Sequence, residues 1–197
     1  DDLAERGGDE QTCLVCGRKA AIADRHPGKV KRVPGGQSVG CAIVSANASA
    51  YESFGLDAAL IAPTCWDCAR DYAQVLTEFL ASDRHSFRVS DQIAYVFWTR
   101  EDSDLSVATL LSEPQPEDVR ELLDSVEDGR SRAAGTADDF YALALSGSGG
   151  RVVIRDWLET TVEAAECNIA RYFRAQQIAD PDGQPGEPLK LMALMGA

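Results

Sequence analysis

The chain has 197 residues, 45% of them hydrophobic and 26% charged, which is enough material for one sizeable core or two small ones. Its formal net charge of -13 repels phosphate, which excludes blanket attraction to nucleic acid, membrane surfaces or acidic substrates and leaves only local contacts of that kind. No apolar run approaches the ~20 residues that span a bilayer, and no charged leader with an apolar core precedes Cys13, so a soluble, cytoplasmic chain without membrane contacts is expected.

Residues 1–12 are polar and read as a flexible lead-in, after which Cys13, Cys16 and Gly17 form a Cys-x-x-Cys-Gly turn. Between Gly17 and Gly40 six basic residues, Arg18, Lys19, Arg25, Lys29, Lys31 and Arg32, stand against Asp24 alone, with His26 among them. The prolines and glycines of "RHPGKVKRVPGGQSVG" break any regular element, so this stretch is a basic loop. "CAIVS" is short and β-rich and predicts a buried strand, and "ANASAYESFGLDAALIAP" predicts a small-residue turn and a short helix closed by Pro63. From Trp66 to Ala81 the residues Tyr72, Val75, Leu76, Phe79 and Leu80 fall on one face and Thr64 is placed to cap, which predicts a long helix.

"HSFRVSDQIAYVFWTRE" predicts a strand, a bend and a stronger strand from Ile93 to Thr99, with Trp98 in a core or an interface. "EPQPEDVRELLDSVED" carries seven acids against Arg120, with Val119, Leu122, Leu123 and Val126 at helical spacing, and predicts a solvated amphipathic helix. "FYALALS" and "RVVIRDW" flank "GSGG", a β-hairpin signature. A helix is expected after Trp157, with Leu158, Val162, Ala165, Ile169 and Tyr172 toward the hairpin. "DPDGQPGEP" reads as a linker. The apolar "LKLMALMGA" reads as the start of a truncated element, and with Met192 and Met195 as the only methionines the chain is expected to be a piece of a longer protein.

These elements define an α+β fold: an N-terminal part stapled by zinc, with a long helix and strands, followed by a β-hairpin and a packed helix. The expected divisions are the lead-in at 1–12, a zinc-knuckle and α+β part at 13–105, an acidic helix and loop at 106–137, the hairpin and its helix at 138–178, and a linker with the truncated element at 179–197. Zinc enters because Cys13-x2-Cys16 and Cys65-x2-Cys68 are two pairs whose x2 step brings both sulfurs of a knuckle turn near ~2.3 Å from one metal. The second pair opens the long helix, where unpaired backbone N–H groups favour thiolate. A knuckle meeting a helix N-terminus resembles the treble-clef arrangement. Two other readings stand beside zinc: plain buried cysteines or a disulfide, which a reducing cytosol disfavours, and a thioredoxin-like redox pair, which lacks its βαβ setting. Cys41 and Cys167 are isolated and read as packing.

In "CLVCG" and "RHPGKVKRVPGGQSVGCAIVSANASAYESFG", and again in "FYALALSGSGGRVVIRDW" with its following helix, the chain resembles the Csd-type large subunit of the type I-C CRISPR surveillance complex, Cascade. The similarity covers most of residues 13–177 and rests on a Cys-turn-Gly, a His-Pro, a Gly-x-Gln-Ser-x-Gly and a Ser-x-Asn before an aromatic-Glu-Ser-aromatic-Gly, in order. The resemblance implies a noncatalytic antiviral-defence protein that assembles with CRISPR RNA and repeat-binding Cascade subunits. It also implies a role in recognising target double-stranded DNA beside its flanking motif and in recruiting a separate helicase-nuclease. Zinc is read from this chain's own cysteines and not from the family.

Given that resemblance, the basic loop is the candidate nucleic-acid contact, through Arg18, Lys19, Arg25, His26, Lys29, Lys31 and Arg32. Lys and Arg neutralise phosphates and release counterions, while Gly35, Gly36 and Gly40 let a backbone approach closely. Gln37, Ser38 and Asn47 can bond to sugar, phosphate or a base edge, and Arg151 and Arg155, on one face of the predicted strand, can join the same surface. The alternative is that this basic face docks on acidic neighbouring subunits. No catalytic set stands out: His26 and His85 have no paired carboxylates at general-acid or metal-ligand spacing, and "GSGG" is a turn rather than a phosphate loop. The other classes in play are a freestanding zinc-bearing interaction module, a thiol redox enzyme and a nuclease.

Overall fold

The computed structural model describes residues 9–46, 50, 52, 55–56, 58–101, 105–128, 138–177, 179, 183 and 186–195. The elements in chain order are β1 (Glu10–Thr12), β2 (Lys19–Ala21), α1 (Trp66–Ala81), β3 (Ser86–Arg88), β4 (Ala94–Thr99), α2 (Val107–Ser112), α3 (Pro116–Glu127), β5 (Asp139–Ser148), β6 (Arg151–Thr161), α4 (Val162–Ala175) and α5 (Leu191–Met195). Helices and antiparallel pairings coexist, so the fold is α+β as the sequence predicts, with the long helix over 66–81. Two compact units divide the chain, one made of the residues up to Ala81 together with Leu145–Ile154, the other of Ser82–Ala144 with the chain from Arg155 onward.

In the first unit β1 and β2 pair antiparallel, with Glu10 opposite Ala21 and Thr12 opposite Lys19. The turn between them closes through Cys13 N–H to Arg18 O and Gly17 N–H to Cys13 O, both 2.9 Å, and Gly17 takes the left-handed φ of +71° that glycine tolerates without strain. The hairpin begins inside the segment expected as lead-in, at Glu10. Ile22 then bridges Cys65 at the mouth of α1. Thr64 does not cap as expected: its hydroxyl donates to Ala62 O at 2.9 Å.

Helix α1 buries Leu76 and Leu80 as its periodicity predicts, but it buries Ala69 and Ala73 with them and leaves Val75 44% exposed. The physical reason is the loop laid across it. A Cβ placed on Gly28 would stand 2.5 Å from Ala73 Cβ and 3.2 Å from Ala69 O, so a small-residue stripe on the helix receives a glycine of the loop. The expected strand at "CAIVS" does not form. Cys41 instead exchanges two backbone hydrogen bonds with Val30, at 2.8 and 2.9 Å, and Ala42 makes a single parallel bridge to Arg151. Two isolated bridges to different partners cannot propagate a ladder. The short helix expected before Pro63 lies largely outside the described residues; the described ones there form an Ala46–Ala58 bridge and a turn.

The second unit holds β3, β4, β5 up to Ala144 and β6 from Arg155; the strand order of the four-stranded sheet is β3-β4-β5-β6, with β3 and β4 antiparallel and Ser86 opposite Val96. One core cluster packs the helices on it, including Phe97, Phe140 and Ala142 from the strands, Val119, Leu122 and Leu123 from α3, and Ala165, Ala170 and Phe173 from α4. Full burial of side chains such as Leu122 and Phe173 stabilises by ~1.5–3 kcal/mol each, as an upper bound. Pro116 at the first position of α3 and the acids Glu117 and Asp118 in its first turn suit the exposed N–H groups there. Helix α2, which the sequence reading does not contain, buries Val107, Ala108 and Leu110 in the same cluster. Trp98 packs with Tyr141 and Trp157, ring centroids 5.4 and 5.5 Å away.

The hairpin of β5 and β6 turns at Gly149 and Gly150, as "GSGG" predicts, with Gly149 at φ +57°. The helix after it starts later than expected. Strand β6 continues past Trp157 to Thr161, and Leu158 is an exposed strand residue rather than part of a helical face. Thr161 sets the boundary, because its side-chain oxygen accepts from Ala164 N–H at 3.2 Å and caps α4.

Candidate metal centre and basic loop

The β1–β2 turn delivers Cys13 and Cys16, and the start of α1 delivers Cys65 and Cys68. The four Sγ atoms lie within 4.8 Å of one another, with Cys16 and Cys65 at 4.0 Å. Tetrahedral bonding at about 2.3 Å to one ion puts sulfurs about 3.8 Å apart, so the cluster has the size that a thiolate-bound metal demands. This contact joins one cysteine from each pair, which is the arrangement of a shared centre rather than of a Cys-x-x-Cys redox couple. Ile22, Ala20 and Leu60 pack around the cluster, which buries Cys13 and Cys65 and leaves Cys16 and Cys68 half-buried.

The thiols are not equivalent. Burial pushes the Cys13 thiol up, but hydrogen bonds from the backbone of Cys16, Cys65 and Val15 outweigh it and bring it down to about 6. One of these is Cys65 N–H to Cys13 Sγ at 3.3 Å. The Cys16 thiol is lowered by the backbone N–H of Arg18 and then by that residue's guanidinium. Cys68 goes the other way, to about 12, through its hydrogen bond with Cys65 first, then burial and its contact with Cys16. Four ionised sulfurs this close repel one another, and a cation among them is what allows all four to ionise. The cluster can therefore hold a metal ion, and its donor set of four sulfurs suits a soft or borderline one.

Arg18 is accounted for by this centre, since its side chain bonds to the Cys16 sulfur and its own protonation is favoured by that contact first and by the charge of Cys16 next. Lys19 is exposed on β2. Arg25, Lys29, Lys31 and Arg32 are exposed along the basic loop. The loop is anchored: Lys31 N–H bonds to Thr77 Oγ1 on α1 at 3.1 Å, and Arg32 holds φ +64°, an unusual value for a residue other than glycine. His26 turns inward, with Nδ1 hydrogen-bonded to the Tyr72 hydroxyl and Nε2 buried without a partner among the described residues. Burial holds its imidazole below the ordinary range, which favours the neutral ring.

Gln37 and Ser38 are exposed near the end of the loop, and Asn47 lies outside the described residues. Arg151 falls in the first unit with the loop, while Arg155 falls in the second. The glycines of the loop meet this chain's own atoms. A Cβ on Gly36 would lie 2.5 Å from Cys41 Sγ, and one on Gly40 would lie 2.8 Å from Lys29 Cβ. The close approach expected of Gly36 and Gly40 is thus made inside the fold. Nothing in the sequence marks Thr77, Tyr72 and Gly147 as holding the loop, and Tyr72 reads there only as part of the apolar face of α1; the signals were the Gly28 and Gly36 breaks and the paired small residues on α1.

Together the α+β fold and the site define a protein built on a four-cysteine centre at a helix mouth, with a braced basic loop beside α1. The model of the family described as CRISPR-associated protein (Cas_Csd1) matches residues 1–197, and the chain belongs to that family. It is thus a CRISPR-associated subunit of the Csd-type, type I-C Cascade. None of the curated proteins matches the chain. No helix among the described residues is long and apolar enough to cross a membrane.

Proposed function

We propose that the chain acts as a noncatalytic part of the large subunit of the type I-C surveillance complex in antiviral defence, in the cytoplasm. It assembles there with CRISPR RNA and the repeat-binding subunits and contacts target double-stranded DNA through its basic loop, and strand cleavage belongs to a recruited helicase-nuclease. The observation that carries this reading is a set of exposed cations, Arg25, Lys29, Lys31 and Arg32, on a loop fixed to α1 in a chain of net charge -13. Cations on an anchored backbone supply phosphate contacts at a lower ordering cost than those on a free loop, and they hold a backbone without reading bases. In the same proposal Cys13, Cys16, Cys65 and Cys68 hold a structural zinc ion, whose four sulfurs leave no open position for chemistry.

The test uses the assembled complex, because the isolated chain's charge opposes approach to DNA. Arg25, Lys29, Lys31 and Arg32 are replaced together by alanine, and target-DNA affinity is measured over a range of salt concentrations. If about three phosphates are neutralised, the slope of log affinity against log salt flattens by roughly three units, with sequence preference unchanged. Unchanged affinity and slope reject the phosphate contact, and failure of assembly assigns the loop to subunit docking instead.

A further inference from the structure

We propose that Gly147, beside the turn of the β5–β6 hairpin, is the positioning residue for the basic loop: it seats the loop's Gly35–Gly36 turn and so fixes where Lys29, Lys31 and Arg32 stand. The inference rests on the phosphate-contact reading above and adds the residue that places the contact.

The contact is backbone on backbone. A Cβ added to Gly147 would stand 2.3 Å from both Gly36 Cα and Gly36 N and 2.7 Å from Gly35 C. No side chain can rotate to relieve such an overlap, so the loop itself has to move. Gly147 N–H donates to Pro34 O at 2.6 Å, and Gly36 N–H to Val33 O at 3.0 Å, which closes the turn at the same point. The next residues of the tip continue the seat: Cys41 Sγ donates to Gly149 O at 3.8 Å, and Ala42 N–H donates to Gly150 O at 2.7 Å. Gly150 faces the Gln37 side chain, where an added Cβ would meet Oε1 at 3.3 Å.

The loop is therefore held at both ends of its basic run. Gly28 and Lys31 rest on α1, at Ala73 and Thr77, and Gly36 rests on Gly147. Lys29 and Arg32 lie between these supports, Lys31 is tied to the first by its own N–H, and Arg25 lies before both. Displacing the second support leaves every cation present and moves those nearest to it, which separates position from charge. Gly149 provides the control, since its φ of +57° is one that asparagine adopts more readily than most residues and nothing lies within 4 Å of an added Cβ, so Gly149→Asn adds a side chain at the turn and leaves the backbone O that Cys41 meets in place.

The experiment compares Gly147→Ala, Gly149→Asn, the quadruple alanine variant and Gly147→Ala combined with it, each in the assembled complex, by the salt dependence of target-DNA binding. The expected result is a slope flattened by about one unit or more in Gly147→Ala, a parental slope in Gly149→Asn, and less than additive loss in the combination. Loss of fold stability alone lowers the active fraction and leaves the slope where it was. A quadruple variant with the parental slope removes the phosphate reading and this inference with it. A flattened quadruple variant beside an unchanged Gly147→Ala overturns the positioning role alone. Should Gly147→Ala fail to fold, hydrogen exchange on the parent chain decides: Gly36, Gly40, Cys41 and Gly147 amides that exchange together as one protected group support the seat, and free exchange at Gly36 with a protected hairpin overturns it.

Discussion

His26 illustrates how one side chain changes role between sequence and structure. Among six cations in the sequence it reads as a seventh ligand for phosphate, yet its ring is turned onto Tyr72, with Nε2 buried and unpartnered among the described residues. A group whose folded pKa is depressed resists protonation in the native state, while the unfolded chain takes up its proton near the ordinary value of ~6.5. The unfolded state then binds more protons below that pH, so stability is full above ~6.5 and is lost as pH falls through the lowered folded value. The urea midpoint of the parent should consequently drop between pH 7 and 5 more steeply than that of His26→Gln; parallel curves would contradict the burial argument. The cysteines were legible because an x2 step is a local fact. Arg18 was not, because its partner depends on how the Cys13–Arg18 turn closes, and the Gly36–Gly147 contact was not, because it joins residues distant in sequence.

Elements long enough to show a period were readable, and α1, α3 and the β5–β6 hairpin lie where apolar spacing and the glycine turn put them. The three-residue strands β1 and β2 and the six-residue α2 are too short for a period to emerge. Alanines misled the face of α1, since burial at Ala69 and Ala73 comes from a close-lying glycine rather than from hydrophobicity. At β6 the error was one of boundary: helical spacing from Leu158 is matched equally well by an extended run ending at a cap. That cap carries a prediction. Thr161→Ala removes the acceptor of Ala164 N–H and should cost about 1 kcal/mol (range about 0.5–2), read as a lower denaturant midpoint with an unchanged slope, whereas Thr161→Ser should stay near the parent. Equal losses in both variants would assign the effect to the methyl group instead.

For the whole molecule, the division into two units means that the sulfur cluster should stabilise one part and not the other. Elemental analysis is expected to find one zinc per chain. Metal binding of this kind is worth about 10–16 kcal/mol in small zinc peptides and is largely folding energy. Chelation should then speed amide exchange in β1, β2 and α1 while α3 and α4 keep their protection. A chain without zinc, or one whose exchange pattern ignores the chelator, would refute the structural role assigned to Cys13, Cys16, Cys65 and Cys68. The division also sets an order of events during synthesis. The first unit takes in Leu145–Ile154, so the ribosome must deliver everything up to the hairpin tip before that unit can close. The sulfurs, complete once Cys68 has emerged, can gather their metal first, since nascent chains fold from the N-terminal side as they appear. The basic loop meanwhile waits without its second support. If Gly147 seats the loop as proposed, Lys29, Lys31 and Arg32 take their final positions only when it has been made, which couples the proposed contact surface to completion of the hairpin.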